Sequence, residues 1–287
     1  MNKKLKIGIV GTESYHSYEF FEIIKNRSDT VLTAVWGENE ESQNAFAEKC
    51  GIDCFADTPA DMADKIDAVL ITLRDGAAHL EAARPFIGKN IAVWVDKPFT
   101  VSVKDAKELI NLFAQNGTVF SGGTSIKMSP QFKDLKERFI TLGSDCLSGY
   151  MAYQTILDSP YSGMHFYSHH LIESVLCVFG TSVRSVFAKR SGNGLAAIAS
   201  YDNFNVLMNY GVKNEPLHAG VFGSESSFMT EYDTSGGLKL LFDEFINAAG
   251  TGVSPYSPEF FLTAVKMCNA IEISVKEHRE VYLSEVE

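Results

Sequence analysis

The chain has 287 residues, 45% of them hydrophobic, with a formal net charge of −11 and a pI near 5.1. That composition can bury a sizeable core and excludes a disordered chain, and the acidic balance excludes the basic footprint of a nucleic-acid binder. No apolar run approaches the roughly 18 residues of a membrane span.

The apolar stretch behind Lys3, Lys4 and Lys6 is too short for a secretory signal. Five scattered cysteines make no disulfide framework, and no second pair completes a zinc motif with Cys50 and Cys54. The expectation is a cytoplasmic protein with reduced thiols and neither nucleic acid nor membrane as a partner.

In chain order, the first strand runs through Lys6–Val10 into the loop Gly11-Thr12-Glu13-Ser14-Tyr15-His16, and a helical pattern begins near Ser17. Strand, turn and helix form the setting in which a G-x-G-x-x-G loop cradles a pyrophosphate. With Gly11 as the first glycine, Glu13 stands at the second position and His16 at the third. The glutamate adds bulk and negative charge where backbone should approach a dianion. Further strands are expected at Val31–Trp36, Ala68–Thr72, Ile91–Val95 and Val119–Ser121, all continuous apolar runs of the kind buried on both faces. Helical patterns fall between them at Tyr18–Lys25, Glu41–Lys49, Ala77–Phe86 and Val103–Ala114. Gly51, Gly88 and Gly117 follow three of these, where left-handed C-terminal caps belong. Alternation of this kind implies a parallel, doubly wound sheet.

After Gly122-Gly123 the pattern changes. A strand at Gly149–Ile156 and a helix at Met164–Phe179 precede strand-like runs at Val183–Lys189, Leu195–Tyr201, Phe204–Tyr210, Ala219–Gly223 and Ser227–Tyr232. Asp202-Asn203 marks a hairpin tip. Strands in series imply an antiparallel sheet. Helices at Leu238–Ala248 and Pro258–Lys276 and a short tail at Val281–Leu283 complete the chain. The expected fold class is α/β: a Rossmann domain over residues 1–122, then an α+β domain over residues 123–287 with an open, largely antiparallel sheet.

Four segments in this order resemble the Gfo/Idh/MocA oxidoreductases: Val95-Asp96-Lys97-Pro98-Phe99, Arg74-Asp75-Gly76-Ala77-Ala78-His79, Tyr167-Ser168-His169-His170-Leu171-Ile172-Glu173 running to Gly180, and the helix from Phe261 with its Val281-Tyr282-Leu283 tail. The resemblance spans nearly the whole chain. It implies that the Asp96-Lys97-Pro98 motif ends the fifth strand, and that the Arg74 segment follows the fourth and lies along the nicotinamide ribose. It further implies hydride transfer to or from a sugar, sugar acid or cyclitol with NAD or NADP, and a homo-oligomer.

Lys97, at the carboxyl edge of the sheet, can hydrogen-bond a substrate hydroxyl and the developing alkoxide. His170, ten residues before Gly180, sits where the family carries its catalytic histidine, and a histidine near neutral pKa suits proton abstraction. The aspartate that many relatives place four residues earlier is Phe166 here, and Tyr167 is the candidate substitute. The resemblance assigns the cofactor to Gly11, Thr12, Glu13, Ser14, His16, Gly37, Glu38, Thr72, Arg74, His79 and Asp96. The family's ribose-binding acid belongs where Gly37 stands, so Glu38 comes one residue late. With no arginine or lysine following it, NAD is preferred to NADP. The altered glycines and displaced acid predict weak dinucleotide binding. They also keep open a non-redox sugar-binding or regulatory protein, or a lyase or hydrolase, on the same scaffold. His165, His169 and Glu173 recur at intervals of four on one helix face. No other ligand is indicated, and no metal is expected.

Overall fold

The computed structural model describes residues 4–211 and 217–287. The first sheet contains β1 (Leu5–Val10), β2 (Thr30–Trp36), β3 (Ala68–Ile71), β4 (Ala92–Asp96) and β5 (Phe120–Gly123), in the order β2-β1-β3-β4-β5, with every pairing parallel. Both faces are covered, which is why β3 and β4 are buried at every residue and read as unbroken apolar runs.

Four helices connect these strands: α1 (Tyr15–Lys25), α2 (Glu40–Cys50), the short α3 (His79–Ala83) and α4 (Val103–Gln115). The first begins before the expected Ser17 because Ser14 caps it, its Oγ accepting from the His16 N–H. Gly51, Gly88 and Gly117 all adopt positive φ. The expected helix over Ala77–Phe86 breaks up. Three-residue 3₁₀ turns flank α3, and the second of them contains Pro85, whose ring disfavours a continuing α-helix.

The strand count needs one correction. The Arg74 segment follows the third strand and the Asp96-Lys97-Pro98 motif ends the fourth, not the fourth and fifth. The edge position beside β2 carries only an isolated bridge between Val35 and Phe55, held by Val35 N–H to Cys54 O at 2.9 Å and Ala56 N–H to Val35 O at 2.8 Å. The flanking Asp53 and Asp57 suit a solvated edge rather than a strand.

The chain leaves β5 through α5 (Pro130–Leu142), a helix not anticipated from the sequence, and enters β6 (Cys146–Gln154). Helix α6 (His165–Phe179) comes next, then β7 (Ser185–Ser191), β8 (Gly194–Ser200), β9 (Asn205–Gly211), β10 (His218–Gly223) and β11 (Ser227–Glu231). Helices α7 (Gly237–Thr251) and α8 (Pro258–Glu277) precede the edge strand β12 (Val281–Tyr282). The sheet order is β11-β10-β6-β9-β8-β7-β12, antiparallel except where β6 runs parallel to β9. Strands β8 and β9 alternate buried and exposed residues and turn at the expected Asp202-Asn203 tip.

One face of this sheet carries α6, which lies against both α5 and α8 and is buried along most of its length. Helix α7 crosses back to the first sheet. Its Leu241, Phe242 and Phe245 pack with Phe20 and Trp94, and the Trp94 and Phe245 rings meet edge-on at 5.6 Å.

Candidate active site

The loop after β1 lies against the backbone after β3. Gly11 has φ +108, and a Cβ there would stand 2.8 Å from Leu73 N. Thr72 Oγ1 donates to the Gly11 carbonyl at 2.9 Å. At Gly37 a Cβ would meet Thr12 Oγ1 at 2.6 Å, so no acid fits there. Glu38 reaches the same place from one residue further on. Its Oε2 accepts the Thr12 N–H at 2.7 Å and the Thr12 hydroxyl at 3.2 Å, while its Oε1 is buried with no partner. Glu13 turns outward and accepts from Asn39 Nδ2 at 2.8 Å. His16 sends its ring to the end of β4, where Nδ1 lies 2.7 Å from Asp96 Oδ2.

The end of β4 and helix α6 face each other across a cavity of about 270 Å³, into which Arg74, Asp96, Lys97, Tyr167 and His170 project beside Glu13, Ser14 and His16. A larger cavity, about 640 Å³, opens at the opposite end of the parallel sheet. The smaller one matters more, because ligands of open α/β sheets bind outside the carboxyl ends of the strands.

Lys97 Nζ donates to the Phe166 carbonyl at 3.1 Å and lies 4.3 Å from the centre of the Phe166 ring. His170 Nδ1 is 2.6 Å from Thr124 Oγ1, which leaves Nε2 without a partner among the described residues. Tyr167 packs edge-on against His170 at 4.7 Å, and its hydroxyl accepts from Gln154 Nε2 at 3.1 Å. The Arg74 guanidinium stacks over Tyr161 at 4.3 Å.

The electrostatics follow from burial. Desolvation lowers His170 well below the ordinary 6.5, helped by the Lys97 charge, so the ring is a neutral base. Desolvation also lowers Lys97, opposed by Asp96 and reinforced by Arg74. Burial opposes charge on both His16 and Asp96. Their mutual attraction and hydrogen bond prevail, holding His16 above and Asp96 below its usual range.

Behind His170, Glu173 Oε2 accepts from the Thr124 N–H at 2.9 Å and pairs with Lys127 Nζ at 3.1 Å. Lys127 also donates to the Gly122 carbonyl at 2.7 Å. The glycines at the junction allow this approach. Gly123 has φ +79, and a Cβ there would stand 2.1 Å from Glu173 Oε2.

The candidate residues therefore divide into three groups. Lys97, His170, Tyr167, Arg74, Asp96, Glu13, Ser14 and His16 share the cavity. Gly11, Thr12, Gly37, Glu38 and Thr72 build the adjoining loop. His79 lies apart, fully buried, with Nε2 2.9 Å from the Leu73 carbonyl. The supposed face of His165, His169 and Glu173 is divided too: Glu173 turns to Lys127, and Cys268 of α8 joins the two histidines. Sequence reasoning missed Thr124, Gln154 and Phe166. Only Thr124 carried a signal, as the first polar side chain after the Gly122-Gly123 break.

Residues 5–124 match the family model described as "Oxidoreductase family, NAD-binding Rossmann fold", that of the Gfo/Idh/MocA proteins. The chain is 26% identical over 251 residues to scyllo-inositol 2-dehydrogenase (NADP(+)) IolU of Bacillus subtilis, a match covering 79% of this chain and 76% of that protein. It is also 26% identical over 142 residues to YceM of Salmonella typhimurium, spanning 50% of this chain and only 46% of that relative. Its fold is that of scyllo-inositol dehydrogenase from Lactobacillus casei, solved with NAD(H) and scyllo-inositol, with a TM-score of 0.85 at 14% identity over 98% of this chain and all of the other. A parallel sheet joined to a mixed, mostly antiparallel one, with a lysine–histidine cleft where they meet, is the architecture shared with these structures. Over residues 5–124 the chain is similar to the Gfo/Idh/MocA family.

Two buried acceptors would suit the ribose hydroxyls of a dinucleotide. Glu38 Oε1 and Asp96 Oδ1 are buried acceptors with no donor, the complement of sugar hydroxyls. The loop between them carries the Glu13 carboxylate, a negative charge that a pyrophosphate disfavours.

Proposed function

We propose that this protein is an NAD-dependent oxidoreductase acting at a hydroxyl-bearing carbon of a cyclitol, sugar or sugar acid. The observation that carries this reading is the meeting of Lys97, His170 and Tyr167 in one cavity beside Asp96 and the dinucleotide-type loop. NAD would supply the hydride acceptor, and Glu38, Asp96 and the backbone N–H groups of Glu13 and Ser14 would hold it.

His170 takes the hydroxyl proton on Nε2 when its Nδ1–H donates to Thr124; in the other tautomer, with Thr124 donating, Nε2 returns it. The Lys97 ammonium, positioned by the Phe166 carbonyl, stabilises the alkoxide. Tyr167, oriented by Gln154, binds a neighbouring hydroxyl. Arg74 is stacked on aromatic rings with no carboxylate partner among the described residues, which equips it to hold a substrate carboxylate. Incubation with NAD and a panel of inositols and aldonic acids should generate reduced NAD with at least one of them.

One observation favours the rival non-redox reading: the His16–Asp96 pair bridges the route between the loop and β4. Calorimetry separates the two. Weak NAD binding is expected, at best tens of micromolar on a rough affinity scale, with NADP weaker still because Glu38 repels a 2′-phosphate. Glu13→Gly should tighten NAD by up to about fivefold, roughly 1 kcal/mol of relieved repulsion, whereas Glu38→Gln should weaken it. No heat with either nucleotide would leave the sugar-binding reading standing.

The outer face of the second sheet supports a homo-oligomer. Register places Met229, Tyr150, Leu207, Ile198 and Phe187 in one row across neighbouring strands, interrupted by Gly220, and four of these are exposed large apolar residues. Sedimentation should show a dimer or tetramer, and Leu207→Asp should shift it toward monomer. A monomeric wild type would remove this assignment.

A further inference from the structure

On the side of α6 turned away from the cleft, His165 and His169 meet Cys268 of α8. One ligand-type atom from each lies within 4.8 Å of the others, and all three side chains are buried. Among the described residues, neither ring nitrogen of His169 nor Nδ1 of His165 has a well-formed hydrogen bond, although Cys268 interacts with the His165 ring. A neutral imidazole carries one N–H and one lone pair, and native interiors rarely bury both unpaired. A lone-pair acceptor bound by one nitrogen of each ring would relieve part of that deficit.

We propose that His165, His169 and Cys268 bind a zinc ion, with water in the fourth position and Glu272 orienting His165. Two imidazoles and a thiolate form a borderline-soft set suited to zinc. Tetrahedral bonds of ordinary length place ligand atoms about 3.4–3.8 Å apart, so the cluster need contract by only about 1 Å. Spacing prepares it, since His165 and His169 are four apart on one helix and Cys268 and Glu272 four apart on the other. Glu272 Oε2 lies 3.4 Å from His165 Nε2. Donation of the Nε2–H to that carboxylate makes Nδ1 the lone pair, the carboxylate–imidazole–metal relay of many zinc sites. Glu272 is itself largely exposed and marks the way in from solvent. None of the three ligands lines the cleft, so the ion would tie α6 to α8 rather than take part in the reaction.

The test uses full-length protein stripped with a chelator and titrated with zinc chloride or cobalt chloride. The expected result is one zinc per chain, a raised melting temperature, and, with cobalt, a thiolate-to-metal charge-transfer band with the d–d bands of a four-coordinate site. Cys268→Ser should abolish that band and weaken zinc by at least about 100-fold. Glu272→Gln should keep the band and weaken zinc about 10–100-fold. A wild type that binds no zinc at micromolar concentration and melts unchanged would overturn the proposal. So would a cobalt spectrum that survives Cys268→Ser.

Discussion

Replacing Lys97 or His170 by alanine should each cut turnover by about 10²–10⁴-fold while the melting temperature changes little. His170 removes the proton and Lys97 stabilises the alkoxide formed in the same step, so the double variant should lose far less than the product of the two single effects. Turnover within tenfold of wild type for either variant would remove that residue from the chemistry. The pH profile supplies a second reading. Desolvation holds Lys97 below its ordinary 10.5, and the reaction needs its protonated form. Activity should therefore decline with rising pH at values below 10.5, as the ammonium is lost through its depressed pKa. In Lys97→Arg, which stays charged, that alkaline limb should disappear even if the rate is low.

The second large effect is on stability. The Lys127 and Glu173 side chains are wholly buried and paired at 3.1 Å, and Glu173 also receives the Thr124 N–H. Glu173→Ala strands an ammonium in the interior and should cost about 3–5 kcal/mol, measured as a fall in the denaturant midpoint at constant slope. Removing both charges together, as Lys127→Met with Glu173→Leu, should recover much of the loss, because an apolar pair avoids the desolvation cost of two ions. A single-variant loss below about 1 kcal/mol would mean that water reaches the pair. Thr124 holds His170, so Glu173→Ala should also lower turnover in the fraction that remains folded.

How much of this was legible beforehand depended on whether the governing contact was local. The five parallel strands were legible because burial on both faces writes itself as a continuous apolar run, and the caps at Gly51, Gly88 and Gly117 because positive φ selects glycine. Lys97, Tyr167 and His170 could be located because the segments around them resemble the Gfo/Idh/MocA motifs, which are local in sequence. The turn of Glu38 into the loop was not legible, since it depends on the clash a side chain at residue 37 would make with Thr12. The division of His165, His169 and Glu173 was hidden for a similar reason. Helical spacing shows which residues share a face but not what the face meets, and Cys268 lies about a hundred residues further along the chain. The strand beside β2, reduced to a single bridge, has two aspartates flanking only Cys54, Phe55 and Ala56 and reads as loop.

The return of α7 to the first sheet bears on how the protein is made. Strand β5 ends at Gly123, yet the helix that covers Phe20 and Trp94 begins only at Gly237. At the ribosome's pace of about 5–20 residues per second, the gap between them is on the order of 10 s. Throughout that time a completed parallel sheet waits on the nascent chain with an aromatic face uncovered. A chain truncated before Gly237 should therefore expose these aromatic rings and aggregate more readily than the full chain.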